Sequence, residues 1–126
     1  MIEGAILLAH GSRKEEANEE IRQMTEMVQE TDRDRFYETA FLSLGYPQLA
    51  DAVESLVKKG CEKIIIMPMF LVTGSHITGD IPDKILLQEA AYPNVKFVLT
   101  KHFGSHSGVI DIVRERIKEA SAGGQL

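Results

Sequence analysis

The chain has 126 residues, with 14 Lys and Arg against 19 Asp and Glu, for a formal net charge of −5. That length suits one folded unit burying roughly two thirds of its unfolded surface, and the acidic balance argues against an electrostatic grip on nucleic acid. The longest apolar run, Ile64 to Val72, spans nine residues and includes Pro68; crossing a bilayer takes about 20.

Met1-Ile2-Glu3-Gly4 carries no basic region ahead of an apolar stretch, so no secretory leader is read. Cys61 is the one cysteine and cannot form an internal disulfide. The expectation is a cytoplasmic protein in a reducing compartment, with no membrane and no nucleic acid among its partners. A small anionic ligand is still compatible with the charge, because Arg13 and Lys14 sit together and set a local potential.

Strand and helix alternate four times. Residues 4–9 form a continuous apolar run, the pattern of a parallel strand covered on both faces. Gly11-Ser12 breaks it. Ala17, Ile21, Met24 and Val28 then recur at helical spacing, opposite a face carrying Glu15, Glu16, Glu19, Glu20 and Arg22. Residues 35–44 read as the second strand, with Tyr37, Thr39 and Phe41 as β-favouring side chains.

A second helix is predicted over 47–59, with Pro47 in its first turn, Gly60 after its end and a stripe of Leu49, Val53, Leu56 and Val57. Residues 63–69 make the most apolar strand, predicted to be central. A glycine-containing loop at 71–79 follows, and Asp80 reads as the N-cap of a third helix that has Pro82 in its first turn and ends near Ala91. The last strand, 95–100, leads through Lys101-His102-Phe103-Gly104 to a final helix, capped by Ser105 and striped by Val109, Ile112, Val113 and Ile117. Residues 1–120 are expected to form one α/β domain and 121–126 a flexible tail. Right-handed crossovers favour a four-stranded parallel sheet of order 2-1-3-4 with helices on both faces, three layers in all.

His10 closes the first strand and His76 follows the third, so both belong to the carboxyl edge of the sheet, where ligands of open α/β sheets bind. In that strand order these two strands flank the point where the connection reverses. Neutral imidazole ligates first-row metals, and its free pKa near about 6.5 lets it accept protons at neutral pH. Asp80, four residues after His76, has the spacing to orient that ring as well as to cap the helix. Met67, Met69 and Phe70 share the edge and are read either as core or as the wall of a flat apolar ligand.

His102 and His106 are assigned structural or surface roles, and Cys61 a core position at the opposite edge. No Gly-x-Ser-x-Gly elbow, Walker pattern or dinucleotide fingerprint is present.

Four segments together resemble the small single-domain sirohydrochlorin chelatases of the CbiX/SirB type, within the class II chelatases. They are Leu8-Ala9-His10-Gly11-Ser12-Arg13, Ala40-Phe41-Leu42 with Pro47, Ile66-Met67-Pro68-Met69-Phe70-Leu71, and Gly74-Ser75-His76 with Asp80-Ile81-Pro82. The match in order and spacing runs over about residues 3 to 120.

The resemblance implies a single-lobe chelatase fold and insertion of a divalent metal into a tetrapyrrole, in cobalamin or related synthesis. Co²⁺ is favoured as the metal substrate, with Fe²⁺ or Ni²⁺ as alternatives, and no organic cofactor is expected. His10 and His76 would bind the metal and accept the pyrrole protons. Ser12, Arg13, Ser43, Met69 and Phe70 would meet the tetrapyrrole, with Lys14 and Lys101 as further cations for its carboxylates. Larger relatives carry two lobes, so a one-lobe chain is expected to pair as a homodimer. One departure stands out: the family's usual Phe-Leu-Glu is here Phe41-Leu42-Ser43, and serine brings no carboxylate. Glu38 falls on the opposite face and does not replace it. A metal or tetrapyrrole carrier without catalysis is therefore the alternative; a phosphate-ester enzyme is disfavoured because Ala9 precedes His10 where such enzymes have arginine.

Overall fold

The computed structural model describes residues 1–123, and the side chains of His76 and Ile77 lie outside the described part. Four strands, β1 (Glu3–Ala9), β2 (Arg35–Phe41), β3 (Lys63–Pro68) and β4 (Lys96–Leu99), alternate with helices α1 (Glu15–Thr31), α2 (Leu49–Lys58), α3 (Ile81–Ala91) and α4 (Gly108–Ser121). All strand pairs are parallel, in the expected order β2-β1-β3-β4. Among the described residues no helix is long and apolar enough to cross a membrane.

One face of the sheet carries the core. Ile6, Leu8, Ala40, Ile64 and Ile66 pack there against Leu49, Ala52, Val53 and Leu56 of α2 and Ile81 and Ile85 of α3. Each such aliphatic side chain contributes about 1.5–3 kcal/mol on full burial. On the other face α1 lies over β2, where the Thr39 hydroxyl donates to Thr25 Oγ1 at 2.7 Å. Helices therefore stand on both faces. Cys61 is buried at the amino edge of β3, and burial pushes its thiol pKa up.

Several local expectations are corrected. Inside α1 the fully buried residues are Asn18 and Thr25, while Met24 is exposed. Both polar side chains have fixed backbone partners, which removes the cost of burying them. β2 ends at Phe41, not at 44, because the chain turns sharply at Leu44, whose φ of 37° is left-handed. Pro47 lies ahead of α2 instead of inside it: its carbonyl accepts from Phe41 N at 2.9 Å, and the Tyr46–Pro47 peptide is cis. The helix is closed off instead by Asp51, whose carboxylate accepts from Gln48 N at 3.0 Å.

The loop at 71–79 is shorter than expected. A π-helical turn, His76–Asp80, runs straight into α3, so Asp80 has helical dihedrals and no capping bond. Ser105 does not cap the last helix: Phe103–Ser105 form a 3₁₀ turn in which Ser105 Oγ donates to His102 O at 2.8 Å. The helix itself continues through Ser121, inside the stretch expected to be a tail, and residues 124–126 lie outside the described residues. The α4 stripe exists, but Ile112, Val113 and Ile117 are exposed, because α4 stands away from the sheet instead of folding back onto it.

Candidate functional site

β1 and β3 are neighbours, with Leu8 beside Pro68, and their carboxyl ends open on the same edge. His10 is the first residue after β1 and is exposed. After β3, Met69 N donates to Leu8 O at 2.8 Å, so this segment leaves the sheet alongside the one carrying His10. The backbone then reaches the π turn that begins at His76. The turn spans residues 76 to 80 and passes directly into α3. Single π turns inserted at helix ends are frequent at functional sites.

The loop after β2 closes over the loop after β1. Leu42 N donates to Ala9 O at 2.9 Å and Ser43 N to His10 O at 3.1 Å. The close approach depends on Gly11, whose φ is +98° and where a Cβ would collide with the Ser43 carbonyl oxygen. Only glycine takes that conformation without strain. His10 and Ser43 are thereby brought together.

Asn18 fastens both loops. Its Oδ1 accepts from Ser12 N at 2.9 Å, while Nδ2 donates to Ser12 O at 2.9 Å and to Leu44 O at 3.0 Å. The residue is 2% exposed, so these bonds are shielded from water. Arg22 braces the same loop from below, donating to Tyr46 O at 2.9 Å and lying over the Phe41 ring at 5.4 Å. It also pairs with Glu15 at 2.6 Å, and that contact holds the Glu15 carboxyl below its ordinary pKa.

Neither Asn18 nor Leu44 was identified as a site residue from the sequence. The available signal for Asn18 is an amide side chain one position off the apolar stripe, at the start of a helix that follows a glycine turn.

His10 Nδ1 lies 3.2 Å from Gly11 O. A carbonyl only accepts, so Nδ1 carries the proton in this contact, which leaves Nε2 as the acceptor nitrogen of a neutral ring. Ser12 Oγ accepts from Lys14 N at 3.1 Å, which makes this hydroxyl part of the turn. Arg13 and Lys14 are exposed beside it, and Ser43, Met69 and Phe70 are partly buried.

Glu38 faces α2, accepting from Ser55 Oγ at 2.7 Å and pairing with Lys59 at 3.2 Å, so it is not turned toward the edge that carries His10. His106 Nδ1 accepts from Gly108 N at 2.8 Å, a structural role at the root of α4. Lys101 and His102 line a separate cleft with Met67 and Phe103. Among the described residues no three His, Cys, Asp or Glu side chains gather in a metal-holding group.

The family model of CbiX matches residues 4–120. Similar proteins include the chloroplastic sirohydrochlorin ferrochelatase of Arabidopsis thaliana, 28% identical over 116 residues, covering 92% of this chain and 52% of that protein. The sirohydrochlorin cobaltochelatase of Methanothermobacter thermautotrophicus is 28% identical over 132 residues, covering 93% of this chain and 92% of that one. The crystal structure of the sirohydrochlorin chelatase SirB from Bacillus subtilis subspecies spizizenii in complex with cobalt superposes with a TM-score of 0.87 at 28% identity, covering 94% of this chain and 51% of SirB. The chain spans about half the length of the first curated relatives it matches. With the family model matched over nearly the whole described chain, and the sheet order and edge in agreement, the chain belongs to the CbiX family.

Proposed function

We propose that this chain inserts a divalent metal into sirohydrochlorin, with Co²⁺ as the favoured substrate metal and Fe²⁺ or Ni²⁺ as alternatives, and that it acts as a homodimer in the cytoplasm. The observation that carries the reading is the emergence of His10 and the His76 turn from adjacent strands at one edge, within a chain of the CbiX family. Cobalt is favoured because a relative matched nearly end to end, from Methanothermobacter thermautotrophicus, is named a cobaltochelatase.

In this reading His10 and His76 first bind the incoming cation, and as it passes into the ring each imidazole nitrogen it vacates takes up one of the two pyrrole protons that leave. Neutral imidazole is suited to both tasks near neutral pH. Ser12, Arg13 and Ser43 meet the polar rim of the tetrapyrrole, Met69 and Phe70 its flat face. The fixed loops matter because insertion needs metal and ring nitrogens held within reach of each other, and positioning of that kind lowers the barrier without new chemistry.

A second reading is favoured by one observation. Ser43 stands beside His10 with no carboxylate, so a carrier that binds metal or tetrapyrrole without turnover is the alternative. The deciding experiment uses catalytic amounts of protein with sirohydrochlorin and Co²⁺, Fe²⁺ or Ni²⁺ under anaerobic conditions, followed by absorption against a protein-free control. Multiple turnover, lost by at least about tenfold in His10→Ala and in His76→Ala, is expected. A stoichiometric spectral change without turnover would assign the protein to the carrier class, and unchanged turnover in both variants would remove these histidines from the site.

A further inference from the structure

The loop after β2 contains a backbone conformation that its residue does not favour. Leu44 has a φ of 37°, and among the described residues no other non-glycine position has a positive φ. For a residue with a bulky side chain that region carries a steric cost, which glycine escapes altogether and asparagine in part. Such outliers persist only where their surroundings hold them, and they cluster at functional sites.

The turn itself gives no reason for a leucine. The chain has its glycine one residue further on, at Gly45, where a Cβ would lie 2.8 Å from Phe41 Cγ and 3.1 Å from Asn18 Nδ2. That glycine serves close packing, while the position whose dihedrals favour glycine carries Leu44. Nor does the core give a reason. Leu44 is 50% exposed, whereas Leu42, two residues earlier, packs against the buried cluster.

The left-handed backbone is held by its neighbours. Asn18 Nδ2 donates to Leu44 O at 3.0 Å, and Ser43 N donates to His10 O at 3.1 Å. The Leu44 carbonyl carbon lies 3.3 Å from where a Cβ would stand on Gly11, so the residue rests directly on the turn that carries His10. An apolar side chain kept half in water at a strained position, and fastened there by a buried amide, is explained by a ligand that covers it.

The other side of His10 narrows the ligand. β1, which His10 directly follows, lies between β2 and β3. Leu44 stands on the loop after β2, while Leu71 and Val72, 65% and 73% exposed, stand on the segment after β3. The imidazole is thus flanked by exposed aliphatic residues at the carboxyl edge. A ligand spanning both sides is broad and apolar across its face and offers its centre to the imidazole, which is the form of a tetrapyrrole macrocycle.

We infer that Leu44 is a substrate contact: its side chain lies against the face of the macrocycle and, with Asn18 fixing its backbone, seats the ring over His10. This rests on the metal-insertion reading above and adds to it a residue that acts on the ring and not on the metal.

The test compares Leu44→Asn and Leu44→Met with the unmodified protein. Asparagine accepts the left-handed region but is polar, and methionine keeps the apolar reach. The quantities read are the thermal midpoint, Co²⁺ affinity by competition titration and affinity for metal-free sirohydrochlorin by absorption, with sedimentation alongside. For Leu44→Asn the expected results are a midpoint unchanged or raised, unchanged Co²⁺ affinity, and sirohydrochlorin binding weakened by roughly tenfold or more, the size of a buried aliphatic contact. In turnover the loss falls on KM and not on kcat. Leu44→Met binds sirohydrochlorin nearly as the unmodified protein does.

Unchanged sirohydrochlorin binding in Leu44→Asn, beside an unmodified protein that binds it, would overturn the contact and leave the metal-insertion reading standing. A midpoint that falls together with both affinities would make Leu44 a structural residue, which also overturns it. A loss of binding that accompanies a change of oligomeric state would place Leu44 between copies of the chain and overturn it likewise. An unmodified protein that binds no metal-free sirohydrochlorin would overturn this contact and the metal-insertion reading together.

Discussion

At the scale of single residues, the amide of Asn18 spends both of its ends on backbone groups of two different loops. Replacing it leaves Ser12 N, Ser12 O and Leu44 O without their protein partner in a shielded position. A buried polar group so abandoned costs about 1–3 kcal/mol. Asn18→Ala is therefore expected to lower unfolding stability by about 2 kcal/mol in urea titration and to speed amide exchange at Ser12; unchanged exchange would mean that the loops hold without it. Ser43 lends itself to the reverse experiment. Its backbone is bonded to His10, so a carboxylate introduced there has a short path to whatever the imidazole binds. Ser43→Glu is expected to raise Co²⁺ affinity several-fold by competition titration, through added opposite charge, and a decrease would show that the side chain points away from the metal.

At the scale of elements, the start of β2 is locked to the end of α1 by Tyr37, Asp32 and Arg35. Tyr37 OH donates to Asp32 Oδ2 at 2.6 Å and Arg35 Nη1 to the same oxygen at 2.8 Å. Burial first, and the Asp32 carboxylate second, push the Tyr37 phenol up to about 12. The folded protein thus keeps this proton to higher pH than the unfolded chain, where a phenol titrates near about 10. Its stabilising effect is full below about pH 10 and is lost as pH rises through about 12. The Asp32 carboxyl is held below its ordinary value, by Tyr37 foremost and then by Arg35, so its contribution is present above the usual carboxylate range and lost on acidification. In a series of thermal melts, Tm should fall more steeply for the unmodified protein than for Tyr37→Phe between about pH 10 and 12. Parallel curves would exclude Tyr37 as the group responsible.

The helices also show what periodicity does and does not reveal. Spacing located α1 and gave it a stripe, yet the most buried residues of the helix are Asn18 and Thr25, whose partners are a distant loop and a hydroxyl on β2. Such partners depend on which turn lands above which helix. α2 read more truly, because Leu49, Val53 and Leu56 do enter the core.

For the whole molecule, strand order and the two-faced helical cover followed from alternation and from the handedness of crossovers, which leave few choices for four parallel strands. His10 was legible because it directly follows an apolar run. The π turn, the left-handed Leu44 and the role of Asn18 were not legible, since each is set by how separate loops meet above the sheet. The stripe on α4 was legible as a stripe but not in its exposure, for a hydrophobic pattern does not say whether the helix folds back onto its own sheet.

Gly104 ties two of these parts together. Its amide donates to Phe70 O at 2.9 Å, and any Cβ there would strike the Leu71 carbonyl, so the segments after β3 and β4 run against each other without an intervening side chain. The root of α4 and the segment leading to His76 are thereby joined side by side. The entry to α4 and the segment that leads to His76 are therefore fixed to each other at Phe70 O, so a change in the position of one is felt by the other.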